Sequence, residues 1–142
     1  MERALEQILN LLLESERAGA VALEMLAARA PADELRQLLL TSRDDEAASA
    51  RGLEDLIRTA GGNPSTAVGP FAAKVAAIAS LRAQLQLMVR GEEWVARKVE
   101  EALALAPTAG PVHDCLQQMA RRHRFEVEWG RAELIRLMNT LN

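Results

Sequence analysis

Apolar residues recur along most of this chain at alternating steps of three and four, the spacing that lines one face of an α-helix. The first run reads Leu5, Leu9, Leu12, Gly19, Leu23 and Leu26, and the second reads Leu35, Leu39, Leu53 and Leu56. The third reads Val75, Ile78, Leu81, Leu85, Met88, Val95, Val99 and Ala102, and the fourth reads Leu116, Met119, Gly130, Leu134 and Leu137. Proline and glycine break the pattern at Ala30-Pro31-Ala32-Asp33, from Gly61-Gly62-Asn63-Pro64-Ser65 through Gly69-Pro70, and at Pro107-Thr108-Ala109-Gly110-Pro111. Pro31 also suits a helix start, where its missing N–H costs nothing. The pattern therefore predicts four helices, near residues 2–29, 32–60, 70–106 and 111–140. A chain of 142 residues is the size of one domain, taken here as 1–142. Four long amphipathic helices in one small domain predict an all-α four-helix bundle.

Each apolar stripe carries ionisable groups near its middle. Glu16 interrupts the first, Glu46 with Ser49 the second, Glu92 the third, and His123 with Glu126 the fourth. Their heights can be compared from the turns. Glu16 and Glu46 each lie about 15 residues from the turn near residue 31, which at roughly 1.5 Å per residue is about 22 Å along each helix. Glu92 lies about 17 residues before the turn near 109, and His123 and Glu126 lie about 14 and 17 after it, again a match in height. A simple hairpin between the second and third helices breaks the match, because Glu46 and Glu92 would then differ by roughly 12 Å. A crossover connection that makes those two helices parallel removes the conflict, and ten extended residues reach roughly 33 Å, about the length of the bundle.

Buried carboxylates at close range raise one another's pKa, and desolvation adds to the effect. A metal ion, protonation, basic partners or a hydrated cavity can offset that cost. Arg43, Arg90, Arg97, Arg121 and Arg122 all lie within about one turn of these levels and are long enough to reach in. Two readings follow. Glu16, Glu46, Glu92, His123 and Glu126 form a metal site, for which carboxylates and one imidazole suit Fe(II) or Mn(II) better than a thiolate-seeking metal. Alternatively, they form a metal-free polar core satisfied by water and arginine.

Composition narrows the function. Twenty acidic against 17 basic side chains give a net charge of −3, which gives no reason to expect a nucleic-acid partner. No run of apolar residues is long enough to span a membrane, and the first residues lack the basic-then-apolar design of an export signal. One cysteine, Cys115, forms no internal disulfide and fits a reducing cytoplasm. No tyrosine is present, and a nucleotide-cradling glycine loop, a Cys-x-x-Cys pair and a Ser/His/Asp arrangement are all lacking, so the sequence leaves any small-molecule substrate unidentified. Leu11, Leu13 and Met25 fall off the first stripe, which either fills the core or supports a homodimer.

The segments LNLLLESERAGA, RDDEAASARGLEDLIRTAGGNPS and GPFAAKVAAIASLRAQLQLMVRGEEWVARKVEE resemble the ferritin-like superfamily, and within it a family of small, uncharacterised bacterial ferritin-like proteins. The resemblance covers most of the chain and implies a ferritin-like four-helix bundle with one crossover between helices 2 and 3. Helix-bundle dimetal sites carry one Glu on each of two helices and Glu-x-x-His on each of the other two. On that pattern Glu16 and Glu92 match the lone glutamates, Glu46 matches the Glu of the first pair, and His123 matches the His of the second. Ser49 stands at the other His position and Ala120 at the other Glu position, with Glu126 one turn on as a replacement carboxylate. The resemblance thus implies a reduced carboxylate/His site for iron or manganese, with a redox role. The alternative function is a non-enzymatic, metal-free helical interaction module, dimeric, with a vestigial polar core.

Overall fold

The computed structural model describes residues 1–140 and is all-helical among them. Five helices follow in order: α1 (Arg3–Arg29), α2 (Asp33–Thr59), α3 (Phe71–Ala76), α4 (Leu81–Leu105) and α5 (Pro111–Thr140). Except between α3 and α4, the ends fall where the sequence predicts punctuation. Gly61 and Gly110 hold positive φ values of 86° and 106°, which glycine adopts without the steric cost a Cβ brings.

One expectation is corrected. The single helix anticipated over 70–106 is two helices, separated at Ala77–Ser80. No proline or glycine marks this break. Ser80 is the N-cap of α4, its hydroxyl accepting from the Ala83 N–H at 3.1 Å. Side chains bridge the break: Gln84 Nε2 donates to the Val75 carbonyl at 3.0 Å, which also accepts from the Ile78 N–H, and Arg29 Nη2 donates to the Ala79 carbonyl at 3.0 Å. Ser80→Ala removes the cap, and we expect it to cost about 1 kcal/mol in a urea titration, with Ser80→Asp near neutral.

The segment between α2 and α4 lies against α1 and follows its length. Asn63 N–H donates to Glu6, Ser65 N–H to Asn10, Gly69 N–H to the Glu14 carbonyl, and Arg17 donates to the carbonyls of Ser65 and Ala67. The contacts advance from residue 6 of α1 to Arg29 as the segment runs from 63 to 79. The longest helices pack α1 on α2, α4 on α5, α1 on α4 and α2 on α5. Enclosed on several sides, α1 buries Leu13 completely and packs Met25 against the core, so these two fill the core, whereas Leu11 is exposed.

Two apolar clusters form the core. One gathers Leu5, Leu9, Leu12, Leu13, Leu53, Ile57, Val99 and Leu116, among others; the second gathers Leu23, Leu26, Leu35, Leu39, Leu85 and Met88 with their neighbours. On every long helix the chain passes from one cluster to the other, and the crossing point is polar. Glu16 follows Leu13 and precedes Ala22, Glu46 lies between Leu39 and Ala50, Glu92 between Met88 and Val95, and His123 with Glu126 between Ala120 and Leu137. Among the described residues, no helix is long and apolar enough to cross a membrane.

Candidate metal centre

The polar layer between the two clusters is a single constellation. Glu16 comes from α1, Glu46 from α2, Glu92 from α4, and His123 and Glu126 from α5, one turn apart on the same face. All five are buried, with exposures of 1%, 2%, 5%, 0% and 5% in chain order. One donor atom from each of Glu46, Glu92, His123 and Glu126 lies within 4.8 Å of the others, a grouping able to hold a metal ion. Space for Glu46 comes from Gly19, where a Cβ would lie 2.5–2.9 Å from the Glu46 carboxyl group.

The His123 ring divides the layer. Its Nδ1 side faces Glu92, with which it pairs closely, and Glu126 Oε2 at 3.6 Å. Its Nε2 side faces Glu16 Oε1 at 2.6 Å. Glu16 therefore joins the constellation through the far nitrogen of His123, outside the four-residue group. Arg122 closes that side, its Nη2 lying 2.8 and 2.7 Å from the two Glu16 oxygens. Its Nε is 3.6 Å from Glu126 Oε1.

Protonation follows from this arrangement. Burial pushes the His123 imidazolium to deprotonate, but the carboxylates of Glu92 and Glu16 more than reverse this and hold its pKa up at about 10. Burial pushes Glu92 up, yet the attraction and hydrogen bond of His123 bring it down to about 2. Burial and the Glu92 charge raise Glu126 to about 10, and burial followed by Glu92, Glu16 and Glu126 raises Glu46 well above the carboxylate range. Glu46 Oε2 and both Glu126 oxygens have no hydrogen-bond partner as ionised acceptors. A proton on either residue turns it into a donor toward Glu92, in line with their raised values.

Of the five arginines long enough to reach this level, Arg122 does so. Arg43 is drawn to Glu24 and Asp44, and Arg90, Arg97 and Arg121 are exposed. Arg122 lies next to His123 and four residues before Glu126, on the flank of α5 that meets α2. Ser49 does not join the cluster. With Asp45, Gly52, Cys115 and Arg122 it lines a cavity of about 400 Å³ between α2 and α5. Ala120 lies within the first apolar cluster. Burial raises the pKa of Cys115, consistent with an unreactive thiol.

Fold and site define an all-helical protein with a buried Glu/His cluster that could hold a metal ion. The chain belongs to the family described as Domain of unknown function (DUF6306), which it matches over residues 3–133, a span that takes in all five cluster residues and Arg122. No curated protein matches the chain.

Proposed function

We propose that this chain is a small ferritin-like protein that binds iron or manganese in its buried centre, with ligands drawn from Glu16, Glu46, Glu92, His123 and Glu126. One observation carries the reading. Carboxylate oxygens of Glu46 and Glu126 are buried without a hydrogen-bond partner, and such groups are costly unless something cationic or a proton meets them closely. Hard oxygens with one imidazole favour Fe(II) or Mn(II). The ferritin-like topology is supported by the segment that tracks α1 from Glu6 to Arg29, as a crossover between parallel α2 and α4 requires. When bound, such a metal supplies Lewis-acid chemistry and, by the resemblance, redox chemistry. The chain's own part is to fix the ligands on four helices, to shield them with apolar layers on both sides, and to release protons from Glu46 and Glu126 as a cation enters.

Elemental analysis of protein purified without chelator tests the reading. We expect iron or manganese in stoichiometric amount, its loss in Glu46→Gln, and a rise in Tm when Mn(II) is added back. At a hundredfold excess over Kd the gain is about 2.7 kcal/mol. No bound metal, together with an unmoved Tm on adding Fe(II) and Mn(II), would falsify it.

A second reading has its own observation. Arg122 and His123 pair with Glu16 and Glu92, so with Glu46 and Glu126 protonated the layer balances its charge unaided. On that reading the chain is a metal-free helical interaction module, dimeric, with a vestigial polar core. Mass that rises with concentration in metal-free protein is its distinguishing result.

A further inference from the structure

We propose that Arg122 fills the place of a second cation in this centre, so that the chain binds one metal ion, on Glu46, Glu92, His123 and Glu126, while Glu16 is held by the guanidinium. The inference rests on the metal-binding reading above and narrows it.

The two sides of the His123 ring differ in what they leave unmet. On the Nε2 side, both oxygens of Glu16 already accept from Arg122 Nη2 at 2.7 and 2.8 Å, and Glu16 Oε1 also meets the ring nitrogen at 2.6 Å. No acceptor there is left over. The guanidinium keeps its charge at every pH a protein survives, so this cation is permanent. Nη2 also lies 2.8 Å from His123 Nε2, so it occupies the position from which a metal would ligate Glu16 and this ring nitrogen together.

The opposite side is unfinished. Glu126 is 5% exposed, and neither of its oxygens has a hydrogen-bond partner: Oε2 lies 3.6 Å from His123 Nδ1 and Oε1 lies 3.6 Å from Arg122 Nε. Glu46 Oε2, on a residue 2% exposed, is likewise unpartnered. These atoms belong to the four-residue group whose donors fit within 4.8 Å, room for one ion. Three carboxylates and an imidazole are a sufficient set for one divalent ion without Glu16.

The test counts Mn(II) bound per chain by equilibrium dialysis and elemental analysis, on the full chain stripped with chelator and reloaded. The wild type is expected to bind one ion. Arg122→Gln, which removes the guanidinium and frees both Glu16 oxygens toward the cavity lined by Ser49 and Asp45, is expected to bind the first ion at least tenfold more tightly and to take up a second. The double variant Glu16→Gln/Arg122→Gln leaves no unpaired charge behind and carries the test if the single variant does not fold. It is expected to bind one ion. Two ions in the wild type, an Arg122→Gln variant with wild-type count and affinity, or a double variant that binds none would overturn the assignment. No ion in the wild type overturns the metal-binding reading itself, so the two failures are told apart by the wild-type count.

Discussion

Replacing His123 with leucine is expected to lower the stability of the metal-free protein by about 3–5 kcal/mol near pH 6, the cost of leaving a buried charge without its partner. The imidazole is fully buried and pairs closely with Glu92, whose carboxylate it holds down at about 2. Leucine fills a similar volume, so the loss reports charge rather than a void. Urea unfolding in chelator measures it. A loss below about 1 kcal/mol would mean that Glu92 is neutral beside the ring and that the ion pair does not exist.

The same variant carries a pH signature whose sign is fixed by the pKa shifts. His123 is raised to about 10 in the folded chain, so its contribution is complete below its ordinary value of 6.5 and is lost as pH climbs through 10. Glu92 is lowered to about 2, so its contribution is complete above 4.5 and is lost as pH falls through 2. The gap between wild type and His123→Leu is therefore widest between pH 4.5 and 6.5 and narrows in both directions.

Much of this centre is legible in the sequence because its geometry is periodic. Glu16, Glu46, Glu92, His123 and Glu126 sit in phase with the apolar stripes of their helices, and counting from the turns brings them to one height. The features that periodicity does not reach are set by contacts between distant residues. The break between α3 and α4 has no glycine or proline; it is bridged by Arg29 and Gln84, which donate to the Ala79 and Val75 carbonyls from distant positions in the chain. Five arginines have the reach of Arg122, and only the packing of α5 on α2 decides which one turns inward. The two sides of the His123 ring are a matter of rotamer, which spacing does not encode. Ile57, rather than Leu56, closes the first cluster at the end of α2, where its carbonyl also receives the Gly62 N–H at 2.8 Å.

Glu126→Met is expected to stabilise the metal-free protein by about 1–3 kcal/mol at pH 8, the cost of a buried polar group left without a hydrogen-bond partner. The wild-type carboxyl group is buried, its two oxygens find no partner, and burial beside Glu92 raises its pKa to about 10. An acid raised in this way is cost-free below its ordinary value of 4.5 and costs more as pH rises toward 10, on the order of 1 kcal/mol per pH unit. The advantage of the variant should therefore grow between pH 5 and 8 in urea titrations with chelator. Mn(II) should invert the order: the wild type gains stability on binding, while the variant, short of a ligand, gains little. A side chain that weakens the empty fold and strengthens the loaded one is there for the ligand. If Glu126→Met is instead less stable than the wild type in chelator, the carboxyl group is holding the helices together on its own account, and the metal-free reading of the polar layer gains what the metal reading loses.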